Sequence, residues 1–168
     1  MTQADCETTE RGTVRKLKDV VALFALSGAS TFCPPERRTA QDGAIRSVMA
    51  ERFPDMGIAA AVERERALYA MAGQANEEMP VGSAQEAAAT AIAAVLSDFI
   101  LTAPARTLND AKARVRYLVD FLDGGTPERD VLAGLGERII ADFEHVAMPR
   151  RGSVFAEWQL SNPFNREA

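Results

Sequence analysis

The stretch from residue 83 to residue 123 most constrains the fold, because it predicts two consecutive helices with a very short connection. Ser83 followed by Glu86 forms a capping box, in which the serine hydroxyl accepts the N–H of Glu86. Apolar residues then recur at helical spacing until Pro104 ends the run. They are Ile92, Val95, Leu96 and Phe99. The other side of this helix is rich in alanine, and a helix that is apolar nearly all round is typical of a buried position.

The second predicted helix begins after Thr107, whose side chain can cap it, and ends at Gly124. Asp110 lies in its first turn, where a carboxylate favours the helix dipole. The predicted buried stripe is Leu108, Ala111, Val115, Leu118, Val119 and Leu122. Because residues 103–106 are the whole connection, the two helices predict an antiparallel hairpin. The basic residues nearby are interpreted as its solvated face. They are Arg106, Lys112, Arg114 and Arg116.

Start and stop signals predict four further helices, at about residues 13–27, 34–53, 55–75 and 126–147. The last of these carries a predicted inward stripe and two interior glycines. The stripe is Leu132, Leu135, Ile139, Phe143 and Val146, and the glycines are Gly134 and Gly136. A glycine inside a helix is destabilising by up to about 1 kcal/mol. Close backbone contact with the alanine-rich side of the Ser83 helix would explain both of them.

The predicted fold class is therefore all-α, a single-domain bundle of about six helices around a central antiparallel hairpin. Residues 1–11 are polar and without periodicity, so they are predicted to be a flexible N-terminus. Residues 12–148 are the predicted bundle domain. Residues 149–168 are a C-terminal tail, which either packs on the bundle or serves as an interface.

Composition argues against several classes of function. The net charge of −5 opposes a general affinity for nucleic acid or for anionic membranes. Two cysteines and one histidine supply neither a disulfide scaffold nor a Cys/His zinc site, and no phosphate-binding loop is present. We therefore expect no metal and no cofactor. Acidic residues near the N-terminus oppose a secretory signal, and Glu86 and Asp98 oppose a membrane span, which predicts a cytoplasmic protein.

One candidate catalytic or ligand-binding group combines Glu65, Asp142 and His145. Glu65 lies on an apparently inward helix face, and a buried carboxylate needs a partner. Asp142 and His145 can meet across one helical turn, which would orient the imidazole as a base. A structural ion pair at Glu65 and a surface histidine at the helix end are the expected interpretations. The alternative is an enzyme or ligand-binding protein that uses all three residues.

A second alternative is a DNA-binding regulator, because residues 44–66 mimic the spacing of a helix-turn-helix. Its recognition helix would begin Ile58-Ala59-Ala60-Ala61, which offers no side chain able to read base edges. Arg64 and Arg66 alternate with glutamates, which weakens their field. Binding of nucleic acid is therefore not expected.

The C-terminal tail holds the candidate partner-binding residues. They are Arg150, Arg151, Phe155, Trp158 and Phe164. Arginine beside exposed aromatic residues is typical of an interface, although the tail could also cover a gap in the core of the bundle. Both interpretations stay open.

The run from Leu101 to Lys112 resembles short helical proteins of high-GC bacteria and their phages, and this resemblance implies no activity and no site residue. The sequence thus predicts a non-enzymatic protein of bacterial type. We expect it to act by self-association or by binding another macromolecule, most simply a protein.

Overall fold

The computed structural model describes residues 3–30, 33–73, 83–123 and 129–146, with the side chains of residues 3–11, 121–123, 129–133, 135 and 145 left outside the description. Six helices make up the regular structure of these ranges, and no strand occurs in them, which confirms the predicted all-α bundle. They are α1 (Gln3–Leu26), α2 (Pro35–Arg52), α3 (Ile58–Gly73), α4 (Ala84–Thr102), α5 (Leu108–Asp123) and α6 (Arg129–Val146).

Helix α1 begins at Gln3, ten residues before the predicted start, so it extends through most of the segment predicted to be flexible. The flexibility of that segment stays a prediction. The predicted C-terminal stop at Gly28 is confirmed. Gly28 has a φ of 74°, its N–H donates to the carbonyl of Ala25, and the N–H of Ala29 donates to the carbonyl of Phe24. These two bonds satisfy carbonyls at the helix end, and the positive φ explains the glycine.

The chain divides into two compact units, Met1–Arg52 with Arg64–Val95, and Phe53–Glu63 with Leu96–Ala168. Helices α3 and α4 each contribute residues to both units. The large buried apolar side chains of unit 1 include Leu17, Val20, Val21, Phe24, Ile45, Met49, Leu68 and Ile92. Those of unit 2 include Phe53, Met56, Ile58, Val62, Leu96, Phe99, Ile100 and Leu118. The domain boundaries predicted from the sequence stay a prediction.

Helix α4 fulfils the expectation of a buried helix along most of its length. Ser83 caps it as predicted, because its hydroxyl accepts the N–H of Glu86 at 3.1 Å. Among the described residues, α4 is the helix long and apolar enough to cross a membrane. Half of this apolar stretch is buried inside the protein, and core helices of water-soluble proteins can have the same length and apolar composition.

In unit 1, Gln41 of α2 holds the segment that follows α1. Its side-chain amide donates to the carbonyl of Ser30 at 3.1 Å, and its oxygen accepts the N–H of Ser30 at 3.0 Å. Replacing Gln41 with leucine leaves both backbone groups without this partner, so we expect a loss of about 1–2 kcal/mol in the free energy of unfolding. Urea denaturation measures the loss, and the exposed Gln85→Leu is the matched control. Equal midpoints for the two variants would contradict the prediction.

The predicted buried stripes of α5 and α6 are wrong in part. In α5, Ala111 and Leu118 are buried, but Leu108, Val115 and Val119 are exposed. In α6, Phe143 is 59% exposed, and the residue buried next to it is Asp142. Gly134 and Gly136 are exposed as well, and no atom lies within 4 Å of a Cβ placed on either. The predicted close contact of these glycines with α4 is therefore wrong.

Candidate functional site

The most strongly buried charge of unit 2 is the guanidinium of Arg114, in the middle of α5. Its exposed fraction is 0%, although the sequence assigned it to a solvated helix face. Nε donates to the carbonyl of Ile100 at 2.7 Å, and one terminal nitrogen donates to the carbonyl of Ala103. The other terminal nitrogen donates to Oδ2 of Asp142 at 2.5 Å. Arg114 thus donates hydrogen bonds to three different acceptors.

Two of those acceptors explain why an arginine occupies this place. The carbonyls of Ile100 and Ala103 lie in and just beyond the last turn of α4, where helix carbonyls have no partner within the helix. A cation also favours the negative end of the helix dipole. Arg114 therefore caps the C-terminus of α4 from the neighbouring helix, α5.

Asp142 of α6 completes the arrangement from the other side. Oδ2 accepts from Arg114, and Oδ1 accepts the backbone N–H of Ala105 at 3.0 Å. Asp142 thereby holds the connection between α4 and α5 as well as the arginine. Burial lowers the pKa of Arg114, while the charge of Asp142 and its hydrogen bond act in the opposite direction. An arginine stays protonated under such a shift, so the buried guanidinium keeps its charge beside Asp142.

A second carboxylate, Asp110, joins the start of α5 to the start of α3. Its Oδ1 accepts the N–H of Ala59 at 3.0 Å, and its Oδ2 accepts the hydroxyl of Thr107 at 2.8 Å. The hydroxyl oxygen of Thr107 in turn accepts the N–H of Asp110 at 3.1 Å, which confirms the predicted cap of α5. Gly57, whose carbonyl accepts the N–H of Ala61, is the N-cap residue of α3 and has no side chain. Asp110 supplies the missing cap from α5.

Both carboxylates use their oxygens to hold protein groups together. Both oxygens of Asp142 and both oxygens of Asp110 accept hydrogen bonds from protein groups. Each of the four oxygens therefore has a partner within the protein. In the part of the chain that the structure describes, no cluster of three or more His, Cys, Asp or Glu side chains could hold a metal ion.

The candidate catalytic group of Glu65, Asp142 and His145 stays a prediction. Glu65 is buried, as predicted, and it has a bonding partner, but it belongs to unit 1, whereas Asp142 belongs to unit 2. The side chain of His145 lies outside the described residues, so its predicted meeting with Asp142 stays a prediction. The carboxylate of Asp142 accepts hydrogen bonds from Arg114 and from the backbone N–H of Ala105.

The helix-turn-helix candidate, residues 44–66, corresponds to the end of α2 and the start of α3 and is divided between the two units. At the start of the supposed recognition helix, Ile58, Ala61 and Val62 are buried. Glu63 and Arg66 are exposed beside each other. DNA binding stays a prediction, and the exposed groups of this helix do not strengthen it.

The remaining feature of unit 2 is a set of exposed apolar side chains on α5 and α6, which pack on each other. The set, called here the exposed apolar set, consists of Leu108, Val115, Val119, Ile140 and Phe143. Val119 is 51% exposed and Ile140 is 64% exposed. The tail residues predicted to bind a partner lie outside the described residues. They are Arg150, Arg151, Phe155, Trp158 and Phe164.

Sequence reasoning missed the Arg114–Asp142 pair, although one signal pointed to its location. Asp110, Ala111, Arg114 and Leu118 share one arc of α5, and the small Ala111 and the apolar Leu118 mark that arc as buried. The partner of Arg114 is 28 residues away, and no local spacing indicates it.

No protein-family model, no curated protein and no solved structure matches this chain.

Proposed function

We propose that this chain is a non-enzymatic helical interaction protein, which acts by binding a second copy of itself or another protein. The observation that carries the proposal is the exposed apolar set on α5 and α6. Large apolar side chains that stay exposed on neighbouring helices are typical of a protein–protein interface. Phe143 is the largest of them and is suited to serve as an anchor.

The buried polar groups of the same unit support this proposal indirectly. Arg114, Asp142 and Asp110 fasten α3, α4, α5 and α6 to one another, so they supply a rigid support for the exposed side chains. A preformed surface binds with a smaller loss of conformational entropy. We further propose that the tail residues Arg150–Phe164 contribute to the contact and that the protein acts in a bacterial cytoplasm.

The test compares the full chain with the double variant Val119→Asn/Phe143→Asn. Sedimentation velocity measures self-association, and affinity capture from a native extract measures binding to other proteins. We expect the double variant to lose the complex that the native chain forms. The matched control is Glu137→Asn/Glu144→Asn, which changes two exposed polar residues of α6 and should keep it. A native chain that stays monomeric and captures nothing dependent on Val119 and Phe143 would overturn the proposal.

A further inference from the structure

We propose that the part of α6 from Gly134 to Val146 is a latch, which melts in a minor state of the folded protein and then frees the connection between α4 and α5. Such a switch needs no partner, so it is additional to the proposed function. Gly134 and Gly136 weaken the latch from within, because glycine is among the least favourable residues inside a helix. Packing does not explain them, since both are exposed and no atom lies within 4 Å of a Cβ placed on either.

One buried side chain fastens the latch to the rest of unit 2. Of the side chains described between residues 134 and 146, Asp142 is the buried one, and the other described ones are exposed or half-buried. Its carboxylate accepts from Arg114 of α5 and from the backbone N–H of Ala105. A helix of this length is marginally stable in water when it stands alone, so we expect the latch to melt when these two bonds break.

The same carboxylate couples the latch to the connection between α4 and α5. The N–H of Ala105 donates to Oδ1 of Asp142 at 3.0 Å, and Ala105 is fully buried. Hydrogen exchange at this N–H therefore requires Asp142 to move away. Arg114 stays attached to α4 when the latch opens, because its bonds to the carbonyls of Ile100 and Ala103 do not involve α6. The open state thus frees Ala105 while α4 stays folded.

Opening of the latch also changes the surface of unit 2. Ile140 and Phe143 lie within the latch, so they leave the exposed apolar set when it melts. Leu108, Val115 and Val119 stay on α5. The closed latch is therefore the form that presents the complete set.

The decisive experiment measures amide hydrogen exchange by NMR in the native full chain and in Gly134→Ala/Gly136→Ala. Alanine strengthens the helix at both positions and meets no other atom there. We expect exchange of the Ala105 N–H to slow roughly tenfold, together with exchange of the amides of the latch. The N–H of Ala103, which donates to the carbonyl of Phe99 at the end of α4, should keep its rate.

Gly43→Ala in α2 is the matched control. It also lies inside a helix with no atom within 4 Å of the new Cβ, but α2 belongs to unit 1. Exchange of Ala105 should not respond to it, since the latch opens without unfolding α2. Slowing of Ala105 by Gly43→Ala would mean that its exchange requires global unfolding, and the latch would be wrong. Equal slowing of Ala103 and Ala105 in the α6 variant, or no slowing of Ala105, overturns it as well.

Asp142→Asn tests the fastening of the latch. Asparagine keeps the shape of the side chain but loses the charge that Arg114 binds. Relative to the amides of α4, we expect the amides of the latch to exchange roughly tenfold faster than in the native chain. Glu144→Gln is the matched control, because it changes an exposed residue of the same helix and should leave this ratio unchanged. Uniform acceleration in α4 and α6 would mean that the two helices unfold together, which contradicts a separate latch.

Discussion

We expect replacement of Arg114 with methionine to lower the free energy of unfolding by about 3–5 kcal/mol, because it leaves the carboxylate of Asp142 buried without its cation. The side chain of Asp142 is only 3% exposed, so water cannot take over the role of the guanidinium. The carbonyls of Ile100 and Ala103 lose their donor at the same time. A buried acceptor without a partner adds to the loss.

Guanidinium chloride denaturation followed by circular dichroism measures this effect. Arg116→Met is the matched control, because Arg116 lies on the same helix and is exposed, and we expect it to change stability by less than about 0.5 kcal/mol. Arg114→Lys should give an intermediate loss, since lysine keeps the charge but cannot imitate the planar fork that reaches three acceptors. Similar midpoints for Arg114→Met and Arg116→Met would show that the pair does not hold unit 2 together.

A compensating change tests the cause of the loss. The double variant Arg114→Met/Asp142→Leu removes both charges, so no unpaired ion stays buried. Replacing a buried ion pair by apolar residues is often neutral or stabilising. We expect the double variant to be more stable than Arg114→Met alone, although the carbonyls of Ile100 and Ala103 still lack their donor. If the loss in the double variant equals the sum of the losses in Arg114→Met and Asp142→Leu measured separately, the ionic contact between Arg114 and Asp142 is not the source of those losses.

The helices of this chain could be predicted well because their boundaries depend on local chemistry. Ser83 and Thr107 cap α4 and α5 through bonds to residues three positions ahead, and Gly28 ends α1 through its own backbone conformation. Such contacts lie within a few residues of each other, so sequence spacing reveals them. The burial of the stripe along α4 could also be predicted, because almost every side of that helix is apolar.

The faces of α5 and α6 could not be predicted from apolar spacing, because on these helices charged side chains are buried and large apolar side chains are exposed. In α5, a buried arc containing Asp110 and Arg114 competes with an exposed stripe of larger apolar residues. A charged residue is buried only when its partners are in place, and those partners come from α3, α4 and α6. The exposure of Val119 and Phe143 likewise depends on how parts of the chain that are distant in sequence pack. It is also the basis of the proposed function.

Replacing Gly57 with alanine should lower the free energy of unfolding by about 1–3 kcal/mol, because the new Cβ would lie 2.8 Å from Oδ1 of Asp110. To relieve that contact, the carboxylate has to move away from the N–H of Ala59, which it caps at 3.0 Å. The position therefore needs a residue without a side chain, although its backbone φ is not positive. Gly43→Ala is the matched control, since no atom lies within 4 Å of a Cβ there and alanine favours the helix.

A double-mutant cycle with Asp110→Ala separates steric conflict from backbone strain. Asp110→Ala alone removes the cap of α3 and the bond to Thr107, for a loss of about 1–2 kcal/mol. In that background the added Cβ of Gly57→Ala meets no carboxylate, so we expect it to be close to neutral or slightly stabilising through the unfolded state. The double variant should then be more stable than the sum of the two single losses implies. An equal loss from Gly57→Ala in both backgrounds would mean that the glycine is required by its own backbone rather than by Asp110.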